Sequence, residues 1–176
     1  DSSWTSPIAL LLCTGVAARE DAALKAAEVK CVEEDPTGGC EWAGTSCSTD
    51  ARFQGKIGTW DVSGVDDMRH LFATSGSLEC TIYCDFNGDI SKWDMRKVTS
   101  MQAAFQNAVR FNSDLSGWDT PSVATWHAAF GSCLQFNGDL SGWDTSKVTT
   151  LNFLFEASAR FNGDLSTWAT GEVKSM

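Results

Sequence analysis

Residues 136–160 read F-N-G-D-L-S-G-W-D-T-S-K-V-T-T-L-N-F-L-F-E-A-S-A-R, and residues 161–168 open the same pattern again as F-N-G-D-L-S-T-W. Working back along the chain, the motif recurs as F-N-S-D-L-S-G-W from Phe111, as F-N-G-D-I-S-K-W from Phe86 and in degenerate form as F-Q-G-K-I-G-T-W from Phe53. Each copy takes seven steps from Phe to Trp, and Trp60, Trp93, Trp118, Trp143 and Trp168 follow at intervals of 33, 25, 25 and 25 residues. The eight extra residues of the first interval fall between Phe72 and Phe86, around Cys80 and Cys84, so the first copy carries an inserted loop. A period of this length is the signature of a repeat architecture.

Counting from the motif Phe as position 0, apolar side chains return at positions 4, 7, 12, 15 and 19. In the copy from Phe136 these are Leu140, Trp143, Val148, Leu151 and Phe155; in the copy from Phe111 they are Leu115, Trp118, Val123, Trp126 and Phe130. One 25-residue unit cannot bury such a face alone, whereas stacked units lay each Trp and Phe against its equivalents. With neighbouring strands about 4.8 Å apart in a parallel sheet, the array is a rod roughly 20–25 Å long.

Position 14 is always Asp, Ser or Thr: Asp67, Ser100, Thr125, Thr150 and Ser175. Such side chains cap helices, and positions 15, 18 and 19 share a helical face, so short helices are predicted over residues 101–109 and 151–159. The L-S-x-W-D stretch, bounded by Gly and Asp, is the strand candidate. Phe-Asn-Gly-Asp between them reads as a turn, because Asn and Gly tolerate positive φ and Asn and Asp bond their own backbone.

The 176 residues carry a formal charge of −10 and no Lys/Arg cluster, which argues against nucleic acid and anionic membranes as partners. No apolar run reaches the roughly 18 residues of a membrane span. Residues 8–18 resemble the apolar part of an export signal but lack a basic flank, so they read as a helix in a mature chain. Seven cysteines stand at 13, 31, 40, 47, 80, 84 and 133, with no C-x-x-C and neither His70 nor His127 placed to complete a zinc site. Disulfides in an oxidising compartment account for them better, with Cys133 as the odd thiol and the pairing left open. Residues 1–51 hold four of these cysteines and no repeat. With Pro7 at a helix start, they read as a helical, disulfide-fastened cap on an array over 52–176.

The run W-D-T-S-K-V-T-x-L-x-x-x-F from Trp143 to Phe155, followed by F-N-G-D-L-S-x-W from Phe161 to Trp168, resembles the BspA-like surface proteins with leucine-rich-type repeats. The resemblance covers residues 53–176. It implies an α/β repeat solenoid: a leucine-rich-repeat-like, right-handed coil of short parallel strands and short helices. It also implies a place at the cell surface or outside the cell, and a role in adhesion or protein binding. The related repeat often carries a Cys three residues after the position-19 Phe. Only Cys133, after Phe130, fits, while Ala108 and Ser158 occupy the same column, so Cys133 reads as a small core residue. The array stops at Met176 within the copy begun at Phe161. The expectation is that the natural chain continues there or that another subunit covers the open coil.

No nucleophile motif, phosphate loop or dinucleotide fingerprint occurs, so no catalytic residue and no enzymatic activity is expected. The structural core is assigned to Trp60, Trp93, Trp118, Trp143, Trp168, Phe105, Phe130 and Phe155. Two acidic columns recur: Asp89, Asp114, Asp139 and Asp164 at position 3, and Asp61, Asp94, Asp119 and Asp144 at position 8. Backbone amides in each turn are their expected partners. Calcium is the alternative, although the repeat lacks the dense Asp/Gly spacing of calcium solenoids, and no cofactor or metal is assigned. The leading functional reading is a binding module whose strand face, with Lys92, Asp94, Asp119 and Asp144 along its edges, meets a protein or glycan. The alternative is a structural subunit of a larger assembly, for example in an oxidising organelle lumen, docked through its open C-terminal coil.

Overall fold

A computed structural model of the chain describes residues 57–73 and 86–176. The cap expected over 1–51, with its disulfides, and the insertion around Cys80 and Cys84 lie outside those residues.

The same bonds join each copy to the next. Position 14 bridges position 14 in parallel, linking Asp67 to Ser100, Ser100 to Thr125, Thr125 to Thr150 and Thr150 to Ser175. Beyond that point, amides at alternate positions donate forward to the following copy. Met101 reaches the carbonyl of Thr125, Ala103 that of His127, Phe105 that of Ala129 and Asn107 that of Gly131, at 2.8–3.0 Å. The next junction repeats the set, from Trp126, Ala128, Phe130 and Ser132 to Thr150, Asn152, Leu154 and Glu156. The position-13 amide donates in the opposite direction, Thr149 to Ala124 and Lys174 to Thr149. Over this stretch alternate backbone amides are therefore satisfied between copies.

That arrangement replaces the predicted helices. Among the described residues there is no α-helix, and the sole helical element is the 3-10 turn Ile57–Thr59. Residues 101–109 form consecutive tight turns instead, with the amides of Ala104, Gln106 and Ala108 donating to the carbonyls of Met101, Ala103 and Phe105. Position 17 takes a left-handed conformation in every described copy, with φ of 57° at His70, 52° at Ala103, 51° at Ala128 and 58° at Phe153. Position 21 does the same, with φ of 64° at Asn107, 59° at Ser132 and 55° at Ala157. A right-handed helix excludes positive φ, and amides committed to the next copy cannot close i−4 rings. Turns that return every three residues nonetheless bury Met101, Ala104, Phe105 and Ala108 on one side. A helix would bury the same spacing, which is why the pattern reads as helical.

The strand expected at L-S-x-W-D is likewise a turn. The amides of Trp93, Trp118, Trp143 and Trp168 fold back onto the carbonyls of Ile90, Leu115, Leu140 and Leu165 at 3.0–3.2 Å. The parallel pairing lies at position 14, the residue expected to cap a helix. There the side chains do accept the amide two residues on: Arg69 donates to Asp67 Oδ1 at 3.0 Å and His127 to Thr125 Oγ1 at 3.3 Å. The Asn of the motif also works differently from expectation. Its backbone φ is not positive, and its side chain reaches the next copy. Asn112, Asn137 and Asn162 donate their amides to Oδ1 of Asn87, Asn112 and Asn137 at 2.7–2.8 Å.

Aromatic rings fill the interior in register. One column runs Phe72, Phe105, Phe130, Phe155 with centroids 5.3, 5.3 and 5.9 Å apart. A second runs Phe86, Phe111, Phe136, Phe161 at 5.7, 5.9 and 5.9 Å. The two interleave, Phe105 stacking on Phe111 at 4.2 Å and Phe130 on Phe136 at 4.3 Å. Trp118, Trp143 and Trp168 form a third stack at 6.0 and 6.5 Å. Each indole N–H also donates to the position-4 carbonyl of the preceding copy: Trp93 to Ile57, Trp118 to Ile90, Trp143 to Leu115 and Trp168 to Leu140, at 2.9–3.1 Å. Full burial of a Phe contributes about 1.5–3 kcal/mol and an offset-stacked pair a further ~0.5–1.5 kcal/mol, so these columns dominate the packing. The assigned core residues are buried, except that Phe155 is half-buried.

Candidate interaction face

The two acidic columns lie on the outside of the turns that fold the motif. At position 3, Asp89, Asp114, Asp139 and Asp164 each accept the amide of the Ser two residues on, at 2.9–3.0 Å. These bonds hold the four carboxyls below the usual carboxylate range. The Ser91 hydroxyl is the main cause at Asp89, and the serine amide is the main cause at the other three. Stacking opposes the effect, since Asp139 and Asp89 raise Asp114, and Asp164 raises Asp139.

At position 8 the four carboxylates are no longer equivalent. Asp61 accepts the Ser63 amide at 3.0 Å and Asp144 that of Ser146 at 2.9 Å. Asp144 is held below the usual range by the Ser146 hydroxyl and amide, with a smaller contribution from the Lys147 charge. Asp94 is gripped harder, accepting the Arg96 amide at 3.1 Å, Arg96 Nε at 2.8 Å and Nη2 of the same guanidinium. The guanidinium bond is the main reason its carboxyl falls to about 2. Asp119 has no such bond, because Pro121 stands two residues on and has no amide hydrogen. Its exposed carboxylate makes no hydrogen bond to the chain and has the Arg96 guanidinium as a charged neighbour. Of the four candidate binding residues, Lys92, Asp119 and Asp144 are exposed and Asp94 is half-buried. Asp94, Asp119 and Asp144 follow one another in a single row, and Lys92 stands two residues before Asp94.

The two histidines and Cys133 belong to other positions of the repeat. His70 is exposed in the left-handed turn at position 17, and His127 lies edge-on to Phe153, ring centroids 5.7 Å apart. Cys133 is fully buried, its Sγ donating to the Phe105 carbonyl at 2.9 Å, and burial pushes its thiol up to about 12. It is an unreactive core thiol. Among the described residues no three His, Cys, Asp or Glu side chains converge as metal ligands, and no helix is long and apolar enough to cross a membrane.

Two features of individual side chains are not visible in the repeat pattern. Phe153 is 58% exposed, although position 17 holds Ala103 and Ala128 in the preceding copies. Nothing in the period flags it except that departure. Trp126 fills a column that holds Met68, Met101 and Leu151 in other copies, and its fully buried indole N–H has no partner. An apolar groove of about 350 Å³ lies on the edge of the last copy, lined by Leu151, Phe155, Leu165, Trp168 and Met176 among others.

Junctions that repeat bond for bond from Asp67 to Ser175 define a tandem-repeat chain. The chain belongs to the family described as Mycoplasma protein of unknown function, DUF285, whose pattern it matches over residues 46–84 and 77–176. No curated protein and no solved structure matches it.

Proposed function

We propose that the chain is a non-catalytic interaction module of a surface or secreted protein, a BspA-like repeat solenoid that binds a protein or glycan through the face bearing Lys92, Asp94, Asp119 and Asp144. The observation that carries this reading is the position-8 row. Its carboxylates stand at fixed places on a scaffold held by backbone ladders and ring stacks, and Asp119 is left without the amide that engages its neighbours. Such a row offers preorganised acceptors to hydroxyl or cationic donors at little entropic cost. DUF285 membership adds support, since that family is associated with BspA-like repeat proteins.

The test is an array of defined glycans and short lysine-containing peptides, probed with the purified chain and with Asp119→Ala. Binding that falls at least about tenfold in the variant, with the fold intact by circular dichroism, is the expected result. Equal binding by both proteins refutes the assignment of this face.

A second reading is a structural subunit of a multiprotein assembly in an oxidising compartment. Amide exchange over residues 161–176 in the native particle discriminates the two. Strong protection supports docking, and exchange as fast as in the isolated chain excludes it.

A further inference from the structure

We draw no further inference here: the strongest candidate, the apolar groove on the edge of the last copy between Phe155, Leu165, Trp168 and Met176, is the surface on which the copies stack on one another, and nothing in the structure shows what covers it.

Discussion

Replacing Trp118 by phenylalanine keeps an aromatic ring in the column but removes the indole N–H that donates to the Ile90 carbonyl at 3.0 Å. That carbonyl keeps the Trp93 amide at 3.2 Å and loses its second donor, which costs about 0.5–1.5 kcal/mol, and the smaller ring adds a cavity contribution of about 1 kcal/mol. Trp126→Phe makes the same change in volume at an equally buried site, where the ring stacks on Trp143 at 4.4 Å. There the lost N–H had no acceptor, so the substitution removes an unsatisfied donor, and that gain offsets the cavity. The expected outcome is a loss of about 1.5–2.5 kcal/mol for Trp118→Phe and a change within about 1 kcal/mol of zero for Trp126→Phe. Urea unfolding followed by far-ultraviolet circular dichroism reads both as midpoint shifts at constant slope. Equal losses in the two variants, or a larger loss at Trp126, would refute the role given to the indole bonds.

Three further outcomes are expected. Asn137→Ala removes the acceptor for the Asn162 amide and lowers stability by about 0.5–1.5 kcal/mol, with faster hydrogen exchange at the Asn162 amide itself. Unchanged exchange there contradicts the side-chain ladder. Ala157→Gly relieves a left-handed residue at φ 55° on an exposed turn and raises stability to urea by up to about 1 kcal/mol, whereas Ala108→Gly, buried in the neighbouring column, lowers it. Asp94 and the position-3 carboxyls have folded-state values depressed below 3.8, so their contribution is fully present above about pH 4 and is lost as pH falls through those values, with Asp94 titrating last at about 2. Arg96→Gln returns Asp94 toward its ordinary value, which carboxyl carbon shifts in an NMR titration report directly.

The aromatic columns are legible in the sequence because a large apolar side chain that returns every 25 residues can be buried by stacking on its own equivalents. Trp93, Trp118 and Trp143 announce their burial by position alone. The turn chain over residues 101–109 is not legible, for a physical reason. Apolar residues at positions 15, 18, 19 and 22 suit a helix and a succession of tight turns equally. The residues that decide between them, Ala103 and Ala128, adopt left-handed backbone without the Gly or Asn that signals it. The Asp, Ser and Thr side chains of position 14 point to an acceptor for a nearby amide, as found. Their second role, pairing copy to copy, depends on contacts far away in sequence. The same holds for Asn112 and Asn137, whose residue type suits a bond within the local turn and whose side chains instead serve the next copy. Of the candidate face, the acidic rows are visible, and the turn amides expected for them are their partners in seven of the eight positions. The exception at Asp119 is also written in the sequence, in Pro121, although only the turn geometry gives that proline its meaning.

The stacking of equivalent copies is tested most directly by nuclear Overhauser spectroscopy on the labelled chain, reading the indole N–H protons of Trp118, Trp143 and Trp168. Each is expected to show cross-peaks to the residues following Ile90, Leu115 and Leu140, respectively, and slow exchange with water. Indole protons that exchange freely, together with continuous helical amide-to-amide contacts along residues 101–109, would contradict it.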